Sequence, residues 1–76
     1  MSWNYRVVKN SPDMFLTERC MYTINDVYYD DNQDIVNVGR ESPVVGDDIE
    51  ELKWILQKML EACDKPVIDY NTGEEV

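Results

Sequence analysis

The chain has 76 residues, of which 43% are hydrophobic, and a formal net charge of −9 from 16 acids and 7 bases. This length predicts one domain that buries only about 60–65% of its unfolded surface, which argues against a large enclosed pocket. The charge argues against direct binding to nucleic acid, because that binding relies on lysine and arginine.

The first predicted element is a strand over residues 2–9, where aromatic and β-branched residues favour extended backbone. Its side chains alternate between two faces, with Trp3, Tyr5 and Val7 on one face and Asn4, Arg6 and Val8 on the other.

A turn is predicted over residues 10–13, which include Pro12. The apolar group Met14, Phe15 and Leu16 follows it. Two positions stay open for this group, over one edge of the core or in an exposed patch.

The longest predicted strand covers residues 19–30. Cys20, Tyr22 and Ile24 share one parity, whereas Val27 and Tyr29 have the other. A bulge near residues 25–26 would place all five on one side of the sheet. The alternative is a strand whose two faces are both partly apolar.

A polar turn over residues 30–34 and a third strand over residues 35–39 complete a predicted hairpin. Residues 40–46 form the connection to the next element, and Val44-Val45 is the candidate for a short fourth strand.

An amphipathic helix is predicted from Asp47 to Cys63, with Asp47 or Asp48 as its N-cap. Pro66 favours its end shortly before that residue. After the helix, we expect residues 67–70 to run extended along the domain. Apolar residues recur at spacings of three and four and predict a buried stripe. Its members are Ile49, Leu52, Leu56, Met59 and Cys63, flanked by Ile55 and Leu60.

Trp54 departs from this pattern, because it lies among Glu50, Gln57, Lys58 and Glu61 on the polar face. Either the segment Pro66-Val67-Ile68 covers it, or its ring lies over the Lys58 stem. A third reading is an exposed anchor for a partner, since aromatic residues are common in binding hot spots.

The predicted architecture is α+β, a three- or four-stranded antiparallel meander with one amphipathic helix packed on one face. Residues 1–70 form the single domain, and residues 71–76 are expected to be a frayed tail. The sequence contains no signal-peptide pattern and no long apolar run, so we expect a cytoplasmic protein with reduced thiols.

Two family resemblances have residues to support them. Trp3-Asn4-Tyr5-Arg6-Val7, Val27-Tyr28-Tyr29-Asp30 and Lys65-Pro66-Val67-Ile68-Asp69 resemble a family of small bacterial proteins of unassigned function, which implies a bacterial or phage origin. The strand meander followed by residues 46–52 and an apolar helix is similar to the HicB-like antitoxin domain. That resemblance implies a partial RNase H-like fold, a small basic toxin as partner, and frequent oligomers.

The sequence lacks the usual elements of catalysis. It has no histidine, no Gly-x-Ser-x-Gly elbow, no phosphate-binding glycine loop and no Cys-x-x-Cys pair. We therefore expect no enzyme activity and no cofactor or metal. One weak calcium pattern places Asp30, Asn32, Asp34 and Glu41 at positions one, three, five and twelve of an EF-hand loop, but Ile35 occupies the glycine position.

Two hypotheses for function follow. The preferred one is a non-enzymatic protein-binding module, in its sharpest form an antitoxin-like regulator, with contacts at Trp54, Glu50 and Glu61 or around Tyr28. The alternative is an acidic mimic of nucleic acid that inhibits a basic partner. Its acids would include Asp30, Asp31, Asp47 and Asp48. Pairing of a free sheet edge with a second copy is a further prediction.

Overall fold

The structure is a computed structural model that describes residues 1–10 and 21–76. The elements are β1 (Ser2–Asn10), β2 (Met21–Tyr29), β3 (Ile35–Glu41), α1 (Ile49–Ala62) and β4 (Ile68–Asp69). Most of the predicted turn over residues 10–13, the apolar group at residues 14–16, and the predicted strand residues Arg19 and Cys20 lie outside the described residues.

The four strands form one curled sheet in the order β3-β2-β1-β4. β1 and β2 pair in antiparallel fashion from Ser2↔Tyr29 to Asn10↔Met21. β4 instead runs parallel to β1, with Val8 opposite Ile68. The α+β class is confirmed, but the predicted purely antiparallel meander is wrong. The helix between β3 and β4 carries the chain back across the sheet, so β4 runs in the same direction as β1.

The fourth strand lies within residues 67–70, which the sequence predicts to be extended, and not at Val44-Val45. Residues 42–46 contain no strand, and both Val44 and Val45 are exposed. The short strand β4 takes the edge position next to β1.

Both faces of β2 are partly apolar, as the second of the two sequence alternatives held. Its pairing with β1 is regular throughout. The bulges lie in β3: from the pair Asn25↔Glu41 to the pair Val27↔Val38 the chain advances two residues in β2 and three in β3. The extra residue distorts β3 and leaves the alternation of β2 intact.

The core lies on the face of the sheet that carries Val8 and Val27. These residues pack with Tyr29 and Ile68, and partly buried side chains from β3 and the C-terminal segment surround them. The surrounding residues are Ile35, Val38 and Tyr70. The curl of the sheet brings β3 and the C-terminal segment onto one core.

This core also contains buried polar side chains. Arg6 donates to the hydroxyl of Tyr29 at 2.9 Å and to the carbonyl of Pro66 at 2.7 Å. The Tyr29 hydroxyl donates in turn to Asn4 Oδ1 at 2.7 Å. These bonds satisfy both terminal nitrogens of the buried guanidinium, whereas Arg6 Nε is buried without a hydrogen-bond partner among the described residues.

A second buried chain of hydrogen bonds crosses β1, β2 and β3. Asn10 donates to the hydroxyl of Thr23 at 2.9 Å, and that hydroxyl donates to Asn25 Oδ1 at 2.7 Å. Asn25 Nδ2 then donates to the carbonyl of Gly39 at 2.9 Å. The chain joins three neighbouring strands through side chains as well as through backbone.

α1 begins after the predicted N-cap Asp48, whose side chain accepts from the Glu51 amide at 2.7 Å. Among the strands, β1 is the one with which α1 makes its most extensive contact. The predicted buried stripe is wrong in part. Ile55, Met59 and Ala62 are the buried residues, whereas Ile49, Leu56 and Leu60 are exposed and Cys63 is exposed at the C-cap.

The C-terminal tail makes defined contacts, where the sequence predicts fraying. The Val76 amide donates to the Val67 carbonyl at 2.8 Å, and the Asp69 amide donates to the Glu74 carbonyl at 2.9 Å. Glu75 lies 3.3 Å from the buried guanidinium of Arg6. The tail folds back beside β4 and pairs with it.

Within the described part of the chain, no helix has both the length and the apolar character needed to cross a membrane.

Candidate protein-binding groove

A groove of about 270 Å³ lies between the first half of β1 and the outer side of α1. We call it the aromatic groove. Its lining residues are Trp3, Asn4, Tyr5, Trp54, Lys58, Glu61 and Lys65.

The strand wall of the aromatic groove follows from the alternation of β1. Trp3 and Tyr5 are two residues apart, so both point to the same face of the sheet. Their rings meet edge to face, with centroids 5.2 Å apart and planes at 89°. This geometry is a favourable one for aromatic pairs and holds Trp3 in position, although half of its surface stays exposed.

The helix wall is formed by Trp54, Lys58 and Glu61, which lie at spacings of four and three residues. Trp54 is 55% exposed, and the Lys58 ammonium lies 5.7 Å from the centre of its ring. The same ammonium lies 3.7 Å from the Glu61 carboxylate. The Lys58 ammonium thus lies over the exposed Trp54 ring, and the interpretation of Trp54 as an anchor for a partner stays a prediction.

Acidic residues from two different elements, β2 and α1, act on Tyr5 in the strand wall of the groove. Burial raises the pKa of the Tyr5 hydroxyl above its ordinary value of 10.0, and the carboxylates of Asp26 and Glu51 raise it further. The sheet and the start of the helix therefore place negative charge close to the aromatic walls.

Only some of the predicted contact residues lie in this groove. Trp54 and Glu61 line it, whereas Glu50, one turn before Trp54, is paired with Lys53 at 3.7 Å and does not line it. Tyr28 is half-buried on β2 opposite Trp3, beside the groove rather than in its lining.

The acids of the predicted mimic surface mostly have local structural contacts. Asp30 Oδ1 accepts from the amides of Asn32 and Asp34 at 2.9 and 3.0 Å, which closes the hairpin turn. Asp48 caps α1, and Asp47 is exposed just before it. Asp31 is exposed and lies 3.4 Å from the N-terminal amine.

The EF-hand spacing does not correspond to a metal-binding loop. Asp30 closes the turn before β3, whereas Glu41 ends that seven-residue strand and pairs with Asn25. An extended strand of this length separates its ends by about 20 Å, too far for one ion. In residues 1–10 and 21–76 no three His, Cys, Asp or Glu side chains are grouped so as to hold a metal ion.

Sequence reasoning missed five of the lining residues, which are Trp3, Asn4, Tyr5, Lys58 and Lys65. The shared face of Trp3 and Tyr5 was predictable from strand alternation. Their proximity to Trp54 was not, because it depends on how the helix lies against β1.

Two other surfaces stand out. A polar cleft of about 400 Å³ lies between β3 and residues 70–73. A row of exposed apolar side chains follows α1, at Ile49, Leu56 and Leu60. The aromatic groove differs from both in combining aromatic walls with an ion pair.

No protein-family model, curated protein sequence or solved structure matches this chain. The two family resemblances in the sequence therefore stay predictions.

Proposed function

We propose that this chain is a small non-enzymatic module that acts by protein–protein contact, with the aromatic groove as its contact surface. The observation that carries the proposal is the pair Trp3 and Trp54, which are 50% and 55% exposed on opposite walls of one groove. Tryptophan is the residue most typical of binding hot spots, and such hot spots lie in concave, well-packed surroundings.

The strand wall of the groove is preorganised. The edge-to-face contact with Tyr5 orients Trp3. Side chains that are already held in place lose less conformational entropy when a partner binds. The strand wall thus offers a partner an aromatic surface that is already ordered.

The sharper form of the proposal is an antitoxin-like regulator in the cytoplasm of a bacterium or phage host, with a basic partner. The net charge of −9 supports this form because it favours approach of a positively charged protein. In this form of the proposal, α1 lies over one face of the sheet and presents Glu61, at the groove, to the basic partner.

The test is affinity capture from lysate of the native host with the wild-type chain and two variants. We expect Trp54→Ala to lose a stoichiometric partner, since removal of a hot-spot tryptophan costs about 2 kcal/mol or more, roughly 30-fold in affinity. Leu60→Ala is the matched control, because Leu60 is 64% exposed on another side of the same helix. It should retain the partner.

Loss of the partner with Leu60→Ala and not with Trp54→Ala would move the contact to the exposed apolar row and refute the groove. Circular dichroism of each variant should confirm that the helix is intact.

The second candidate is the acidic nucleic-acid mimic, favoured by the exposure of Asp31 and Asp47. Charge reversal at these two residues should then abolish capture, and high salt should release the wild-type partner. Asp30 and Asp48 are less suitable for reversal, because both accept structural hydrogen bonds. A partner retained in the reversed variant at high salt would exclude this candidate.

A further inference from the structure

The aromatic groove already contains a cationic side chain of the protein itself. The Lys58 ammonium lies 5.7 Å from the centre of the Trp54 ring and 3.7 Å from the Glu61 carboxylate. The walls of the groove thus accommodate a cation that lies over an aromatic face and has a carboxylate beside it.

The surrounding charges favour the same kind of ligand. Glu61 lines the groove, and Asp26 and Glu51 lie close enough to Tyr5 to raise its pKa. Lys65 also lines the groove and opposes them with one positive charge. The lining itself carries Lys58 and Lys65 against Glu61, so the further negative charge comes from Asp26 and Glu51, which act on Tyr5 from outside the lining.

Lys58 is not held firmly. Its side chain and that of Glu61 are both nearly half exposed, and an ion pair of this kind on a helix surface contributes little. A guanidinium is better suited than an ammonium to the position between Trp54 and Glu61. It is planar and less strongly hydrated, so it stacks on aromatic faces, and it binds carboxylates through two hydrogen bonds.

We propose that the aromatic groove binds an arginine side chain of the partner, which displaces Lys58 from Trp54 and pairs with Glu61. This rests on the proposed function and specifies the partner chemistry. Trp54 supplies the aromatic face, Glu61 supplies the charge, and Trp3 with Tyr5 forms the opposite wall.

The test uses blocked arginine, N-acetyl-arginine methylamide, titrated into the ¹⁵N-labelled protein. Blocked citrulline is the neutral isostere. The chain has two tryptophans, so two indole N–H signals report on the groove, and Trp3→Phe and Trp54→Phe assign them. We expect saturable shifts with blocked arginine, in the millimolar range, and much smaller shifts with blocked citrulline.

Lys58→Met tests displacement, since it keeps the aliphatic stem and removes the competing charge. It should tighten blocked-arginine binding about two- to five-fold, the range expected when an exposed cation–π competitor is lost. Lys53→Met is the matched control. Lys53 lies on the same helix but outside the groove, and its ammonium is 3.7 Å from the Glu50 carboxylate. It should leave the affinity nearly unchanged.

Equal shifts with arginine and citrulline, or no shift with either, would overturn the proposal. So would equal tightening by Lys58→Met and Lys53→Met, which would indicate a general effect of net charge. This outcome can be distinguished from that of the capture experiment. If Trp54→Ala loses the partner but the groove does not bind blocked arginine, the proposed binding function is supported and only the arginine chemistry is refuted.

Discussion

The guanidinium of Arg6 lies 3.3 Å from the carboxylate of Glu75, which ties the first strand to the next-to-last residue of the chain. Arg6 is buried and Glu75 is about half exposed. The pair is therefore anchored on the strand side, and the tail residue supplies a partner to a charge that has left water.

Glu75→Ala should lower the free energy of unfolding by about 1 kcal/mol, because it removes one partner from a buried charge while the hydrogen bonds to Tyr29 and Pro66 remain. Solvent screening at Glu75 keeps the effect at this modest size. Urea denaturation measures it. Glu74→Ala, an exposed neighbour whose contact with β4 is through its backbone, should change stability by less than about 0.5 kcal/mol.

Met59→Ala and Leu60→Ala should differ sharply, although the residues are adjacent in α1. Met59 is 6% exposed and Leu60 is 64% exposed. Truncation of a buried methionine typically costs about 2–5 kcal/mol, whereas an exposed leucine contributes little to stability. Thermal unfolding of the two variants compares them directly. Similar losses in both would mean that the helix buries a wider stripe than Ile55, Met59 and Ala62.

Asn25→Ala should destabilise the sheet by about 1–3 kcal/mol, because it leaves the Gly39 carbonyl without this donor and the Thr23 hydroxyl without this acceptor. The exposed Asn37 on β3 is the control, and Asn37→Ala should be close to neutral. Chemical denaturation of both variants gives the comparison. A neutral Asn25→Ala would show that water replaces the side chain in this hydrogen-bonded chain.

Tyr5 should make stability depend on pH in the alkaline range. Burial, and then Asp26 and Glu51, raise its pKa in the folded state, so the folded protein retains the proton at pH values where the unfolded chain has lost it. Its contribution is thus fully present below about pH 10 and declines as pH rises through the folded-state pKa. Urea denaturation between pH 9 and about 11.5 should show this decline.

Two variants test the origin of that decline. Tyr5→Phe should remove the Tyr5 contribution, and Asp26→Asn should lower the pKa of Tyr5 and so reduce the contribution. An absorbance titration of tyrosinate follows the pKa. An Asp26→Asn titration identical to that of the wild type would contradict the electrostatic part of the shift.

Much of the local structure was predictable. The Asp48 cap and the end of α1 before Pro66 follow from short-range hydrogen bonding and backbone geometry. β1 and the β2–β3 hairpin follow from strand propensity and a polar turn closed by Asp30. In the candidate site, Trp54 and Glu61 could be named because an aromatic on the polar side of a helix is conspicuous.

The rotation of α1 could not be read from its apolar spacing. Apolar residues occupy a wide arc of the helix, from Ala62 and Ile55 on one side to Leu60 on the other. The spacing restricts burial to that arc, but contact with β1 selects one part of it. As a result Met59 is buried and Leu60 is exposed.

The sequence by itself determined β1, the β2–β3 hairpin, α1 and their order, because helix periodicity, strand alternation, capping and turn formation act between residues a few positions apart. Only the tertiary structure decided the parallel position of β4, the burial of Arg6 with Glu75 beside it, and the meeting of Trp3 with Trp54 across a groove. These depend on how distant segments share one small core, where the burial of apolar area and the pairing of buried polar groups select among arrangements that local preferences leave open.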